Sequence, residues 1–180
     1  MTYVFLAEGF EELEALSVID VFRRAGQPVQ SVSITQDRAV TGAHGIPVTA
    51  DLILGEEEEE AELLVLPGGM PGAANLEACQ PLRDKLAAQH RAGRWIGAIC
   101  AAPMVLGSCG LLKGKKATIY PGMEDRLLGA TPTGEAVAKD GNIITGQGPA
   151  LAISFACALL GALAGKSVAE QVAEDMLLRP

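Results

Sequence analysis

Short apolar runs alternate along this chain with longer stretches whose apolar positions recur every three or four residues. Residues 3–7 read as a buried strand, and residues 11–25 as a helix with Leu13, Leu16, Ile19 and Phe22 near a spacing of three and Gly26 as its closing cap. A second strand follows at 29–34. Residues 39–48 look like a small hairpin rather than part of the main sheet. Residues 62–66 form a strand that ends in the glycine turn Pro67-Gly68-Gly69, and 76–92 read as one helix. A strand at 94–99, short strands at 117–120 and 142–145, and helices at 151–164 and 168–178 complete the pattern. Alternation of this kind predicts a doubly wound α/β fold, with a mostly parallel sheet and helices on both faces. With no internal repeat and no linker, it predicts a single domain over 1–180. In such sheets, sites lie at the carboxyl ends of strands. Residues 8–14, 67–72 and 100–101 all follow strands and are expected to converge there.

Composition narrows the classes. Of 180 residues, 49% are hydrophobic and 20% charged, as in compact domains, and the formal net charge of -8 disfavours nucleic acid as a partner. No apolar run reaches membrane-spanning length. The N-terminus has no basic region and meets Glu8 too early for a signal peptide. Cys79, Cys100, Cys109 and Cys157 show neither CxxC spacing nor a cluster with histidine. That argues against disulfides and structural zinc and for a reducing cytoplasm. Glu56 to Glu60 read as a solvated face.

The sharpest local signal is Trp95-Ile96-Gly97-Ala98-Ile99-Cys100-Ala101-Ala102-Pro103. An apolar strand stops at a cysteine flanked two residues either way by Ala98 and Ala102. This is the small-x-nucleophile-x-small layout of a nucleophile elbow, where the turn is too tight for larger neighbours. A helix start beyond the turn favours a thiolate. Cys157 lies in an apolar helical run and reads as core. In the acidic trio Glu11, Glu12 and Glu14, Glu11 fits helix-dipole complementation. Glu14 sits a turn further in on an apolar helix; buried there, it stays protonated and can donate to a thiolate. Gly68 and Gly69 let backbone N–H groups approach a developing oxyanion, with Ala101 N–H as a second donor. His44 and His90 both precede Cys100, so a Cys…His…Asp order cannot form, and no cluster proposes a catalytic metal.

Four segments then look familiar in their order: Ala7-Glu8-Gly9-Phe10-Glu11-Glu12-Leu13-Glu14, Leu66-Pro67-Gly68-Gly69, Ala98-Ile99-Cys100-Ala101-Ala102-Pro103 and Gly146-Gln147-Gly148-Pro149. Together they resemble the ThiJ/PfpI superfamily, closest to its Parkinson-disease-protein and YajL-like branch, over nearly the whole chain. The resemblance implies a flavodoxin-like fold and a homodimer built partly on the first helix. It implies that Cys100 is the reactive, oxidation-sensitive cysteine, Glu14 its protonated partner, and Gly69 and Ala101 the backbone donors. His44 falls where relatives place a basic residue from the partner subunit. Two departures matter. Tyr120-Pro121 stands where the branch often has His-Pro, and Ala101 stands where PfpI-type proteases have a histidine, which argues against peptidase activity. The activity implied is of glyoxalase III or deglycase type, on small 2-oxoaldehydes such as methylglyoxal or on glycated adducts, without a cofactor. A redox sensor or chaperone using Cys100 oxidation is the alternative, and a thiamine-pathway role is a third reading that no residue specifically supports.

Overall fold

In a computed structural model, residues 1–178 are described, so the last two residues of the expected domain lie outside the described residues. The main sheet has seven strands. In chain order they are β1 (Thr2–Leu6), β2 (Val29–Ser33), β5 (Leu52–Ile53), β6 (Leu63–Leu66), β7 (Trp95–Ile99), β10 (Val137–Asp140) and β11 (Ile143–Gly146). Their spatial order is β10-β11-β7-β6-β1-β2-β5; every neighbouring pair is parallel except β10 with β11. β1 and β6 are buried at every residue, which explains why they read as unbroken apolar runs. β3 (Ala39–Thr41) and β4 (Pro47–Thr49) form the separate hairpin that the sequence predicts. β8 (Lys116–Ala117) pairs with β9 (Thr131–Pro132).

The helices are α1 (Glu12–Arg24), α2 (Gly72–Ala78), α3 (Gln80–Arg91), α4 (Pro103–Ser108), α5 (Ala152–Ala164) and α6 (Lys166–Asp175). α1 packs on α5, and α6 docks on α5, while α2 contacts both α3 and α4. The backbone of Gly97 in β7 is pressed against α5: a Cβ there would lie 2.8 Å from Leu159.

Three expectations are corrected. The single helix expected over 76–92 is two, parted at Cys79, whose backbone is extended; Pro81 opens α3, where a missing N–H is tolerated, whereas it would break a continuous helix. The strand expected at 117–120 pairs only at its start. Beyond it, Thr118 and Tyr120 make single bonds to Thr145 and Cys100 rather than a ladder. Leu13 and Leu16, assigned to the apolar face of the first helix, are 61% and 41% exposed, while Glu12 and Glu14 point inward.

The chain winds one way from β1 to β2 and β5 and the other way from β6 to β7 and β11. The direction therefore reverses between β1 and β6, and that switch point opens a crevice at the carboxyl ends of the strands. The segments after β1, β6 and β7 meet there.

Candidate active site

Cys100 follows β7 directly and has φ 60°, in the left-handed region that residues with a Cβ rarely adopt. Its N–H donates to the Gly146 carbonyl at 3.0 Å, and its own carbonyl accepts from Tyr120 N–H at 2.9 Å. Those two bonds, to β11 and to the segment after β8, hold a conformation that costs about 1–3 kcal/mol on its own. Ala98, Ala101 and Ala102 are buried around the turn, where larger side chains have no room. Cys100 itself is 8% exposed.

Glu14 comes from the first turn of α1 and is completely buried. Its Oε2 accepts the Gly68 N–H at 2.7 Å, and its Oε1 is buried without a well-formed partner. The Cys100 thiol lies alongside it, and each group shifts the titration of the other. Burial is the main force on each. It raises Glu14 to about 7, against the lowering effect of the Gly68 N–H and the Cys100 thiol; the charge of Glu11 adds a small upward push. Burial, then the charge of an ionised Glu14, push Cys100 up to about 12, while the N–H groups of Gly69 and Ala101 pull it down.

The helix start therefore does not by itself produce a low-pKa thiol. The two groups are coupled and titrate as a pair. When the pair holds one proton and that proton sits on Glu14, the charge that opposes thiolate formation is gone. The sulfur is then an anion facing two N–H donors.

Glycine is required at the turn after β6 for steric reasons. A Cβ on Gly68 would lie 2.7 Å from Cys100 Cβ, 2.8 Å from Glu14 Oε2 and 2.9 Å from Ala101 N, and one on Gly69 (φ 84°) would meet the Glu11 N at 2.5 Å. The close approach is what lets the two N–H groups reach carboxyl and sulfur. Gly68→Ala should accordingly lower stability by about 2–4 kcal/mol, visible as a reduced denaturant midpoint, because backbone and the buried pair must both give way.

A cavity of about 380 Å³ opens over the sulfur, walled by Gly69, Met70, Cys100, Ala101, Tyr120, Pro121 and Met123. Tyr120, half exposed, lines it with its ring, which packs over Gly148, while its backbone N–H supports Cys100. Met70 belongs to the 67–72 turn and Pro121 to the Tyr120-Pro121 pair, neither of them read as a cavity wall, and sequence reading missed Met123 altogether. Another cavity, of about 390 Å³, is bounded by Tyr3, Glu57, Glu59, Glu60, Lys85 and Arg94, and none of the candidate catalytic residues lines it.

His44 does not line the Cys100 cavity within this chain. Its Nδ1 lies 2.8 Å from Glu12 Oε2 and 3.5 Å from Glu11 Oε2, and its backbone N–H donates to Glu12 Oε1. The hydrogen bond to Glu12 raises His44. Burial works to raise Glu12, but the His44 ring and backbone N–H groups outweigh it and hold the carboxyl below its ordinary value. Among the described residues, Glu11, Glu12 and His44 are the set whose potential ligand atoms come within 4.8 Å of one another. Here they form a closed ion pair that ties the hairpin to the start of α1. All four cysteines are free thiols, and among the described residues no helix is long and apolar enough to cross a membrane.

Residues 2–162 match the DJ-1/PfpI family. The chain belongs to the DJ-1/PfpI family. It is 41% identical over 179 residues to Protein DJ-1 homolog A of Arabidopsis thaliana, covering 97% of this chain and 46% of that protein. It is 36% identical over 178 residues to Protein dj-1beta of Drosophila melanogaster, covering 97% and 95%. The chain thus spans under half the length of the Arabidopsis relative and nearly all of the fly one. The solved structure of oxidized Toxoplasma gondii DJ-1 superposes with a TM-score of 0.94 at 36% identity, over 98% of this chain and 97% of that one. The family also includes enzymes: Isonitrile hydratase of Pseudomonas putida is 36% identical over 113 residues, covering 62% of this chain and 49% of that protein. The flavodoxin-like α/β architecture expected from the sequence is the fold of these DJ-1 proteins.

Proposed function

We propose that this DJ-1/PfpI family member is a cofactor-independent enzyme that isomerises and hydrates small 2-oxoaldehydes, converting methylglyoxal to lactate. The observation that carries the reading is a thiol at the floor of one cavity coupled to the fully buried Glu14 carboxyl beside it, with two backbone N–H groups on the sulfur. The Cys100 thiolate attacks the aldehyde carbon, forming a C–S bond and moving the carbonyl pair onto oxygen. The N–H groups of Gly69 and Ala101 are the donors suited to that charge. A proton from Glu14 neutralises the alkoxide to give a hemithioacetal. The carboxylate then removes the hydrogen from that carbon and delivers it to the neighbouring carbonyl carbon, while the hemithioacetal hydroxyl proton passes to the neighbouring carbonyl oxygen. The product is a thioester of lactate. Water adds to the thioester, the C–S bond breaks, and the thiol leaves with its proton restored. The sum is methylglyoxal plus water to lactate, with no net oxidation. Glycated adducts of the same aldehydes are substrates to the extent that they release or present the same carbon.

Incubating the purified protein with methylglyoxal should yield lactate in a one-to-one ratio to aldehyde consumed. Aldehyde loss without lactate, or no loss above the uncatalysed rate, would overturn the reading.

A second reading uses the same sulfur. The donors that favour an anion at Cys100 also favour a sulfinate, and a neutral Glu14 can donate to it. The oxidized state of the Toxoplasma relative supports this. Two equivalents of peroxide would add two oxygens to Cys100 and leave two waters. Intact mass with peptide mapping should find them there; an increment on Cys79 instead would rule the sensor out.

Leu13, Leu16 and Ile46 are exposed apolar side chains on α1 and the hairpin, which supports the homodimer that the family resemblance implies. Leu13→Glu should then shift the protein to monomer in sedimentation velocity; an unchanged sedimentation coefficient would place any dimer contact elsewhere.

A further inference from the structure

We infer that the cavity over Cys100 selects 2-oxoaldehydes by charge and polarity, accepting neutral substrates with an apolar substituent and rejecting those that carry a carboxylate. The inference rests on the aldehyde reading above and adds the residues that decide which aldehyde enters: Met70, Tyr120 and Met123. Among the described residues, none that walls the cavity is charged. Beyond the backbone of Gly69 and Ala101, which faces the sulfur, the walls are the side chains of Met70, Tyr120, Pro121 and Met123. Met70 and Tyr120 are half exposed, so the mouth itself is a thioether and an aromatic ring, surfaces that take up a methyl or phenyl group by burial.

Among the described residues of this chain, a carboxylate-bearing substrate finds no cation lining the cavity. The basic residue nearest in sequence to the rim, Arg126, is tied to Glu77 at 3.2 Å. Glu124, beside Met123, folds back to accept the Gly122 N–H at 2.9 Å, so it adds negative charge near the rim. His44 is held by Glu12 and does not line the cavity. The Glu14–Cys100 pair, of which the sulfur forms the floor and the carboxyl lies buried beside it, carries a single negative charge whenever it holds one proton. An anionic substituent would give up hydration, meet apolar walls, and sit near that charge, three costs with the same sign.

The test compares kcat/KM for phenylglyoxal, methylglyoxal and 4,5-dioxopentanoate, all 2-oxoaldehydes, the last an anion at neutral pH. The expected order puts phenylglyoxal at or above methylglyoxal, and 4,5-dioxopentanoate lower by roughly tenfold or more. Met123→Lys should narrow the gap between 4,5-dioxopentanoate and methylglyoxal by several-fold, with the gap widening again at high ionic strength. Met123→Gln, polar but uncharged, should lower phenylglyoxal use without improving the anion. Equal kcat/KM for the anion and methylglyoxal in the native protein would overturn the inference while leaving the aldehyde chemistry standing, as would a Lys variant whose ratio does not move. No turnover of any of the three would instead overturn the reading on which it rests.

Discussion

Cys100→Ser protein should fold and form no lactate from methylglyoxal above the uncatalysed rate, an expected loss of roughly 10³-fold or more. The reason is specific to the pair. A serine hydroxyl is far harder to ionise than a thiol, and Glu14, raised to about 7, is too weak a base to ionise it. The variant keeps the fold because the left-handed turn is held by backbone bonds to Gly146 and Tyr120, not by the sulfur. Cys157→Ser, on α5 and away from the cavity, is the control that should retain activity. Lactate formation by both variants, assayed beside matched circular dichroism spectra, checks this. A Cys100→Ser protein that keeps even a tenth of the native rate would show that the chemistry lies elsewhere.

The second large effect is at Glu14. Glu14→Gln is expected to lower kcat for lactate formation by roughly 10²–10⁴-fold, the range for a lost proton-transfer group. The amide can donate a hydrogen bond to the sulfur, so substrate binding changes less than kcat. It cannot carry a proton from one carbon to the next. A stability measurement separates this from damage to the fold. Burial raises the folded pKa of Glu14 above that of the unfolded chain, so its stabilising contribution is present in acid and is lost as pH rises from about 4.5 through about 7. Glutamine has no ionisation to resist. The stability of the variant relative to the native protein should therefore improve between pH 5 and pH 8 in denaturant titrations, while kcat stays low throughout. A variant of unchanged kcat would remove Glu14 from the reaction.

How much of this was legible beforehand depends on what each residue answers to. The elbow was readable because its geometry excludes side chains, and exclusion leaves a mark: Ala98, Ala101 and Ala102 are small for a local reason. Gly68 and Gly69 were readable for the same reason, since each faces backbone or the buried pair at distances no Cβ allows. The burial of Glu14 was readable from its neighbours. The exposure of Leu13 and Leu16 was not, because which face of α1 turns inward is decided by docking on α5 and on the crevice, not by the apolar count along the helix. The break at Cys79 carried a signal in Pro81 that the helical periodicity outweighed. The edge strand β10 carried one too: Asp140-Gly141 closes its hairpin onto β11, with Gly141 at φ 59°. That Met70, Pro121 and Met123 form walls left no signal, since their turns meet over the sulfur only once the sheet is assembled.

The state of the sulfur is the point on which the account turns: Cys100 and Glu14 share one proton near neutral pH, and the reactive form is the thiolate beside the neutral acid. The direct measurement is the pH dependence of Cys100 alkylation by a neutral reagent, followed by peptide mass. The rate should rise with an inflection near 7, as the pair loses its first proton, and then stay level through pH 9, with that inflection absent in Glu14→Gln. A rate that instead climbs tenfold per pH unit from 7 to 9, in native and Glu14→Gln proteins alike, would mean that the thiol ionises alone and would contradict it.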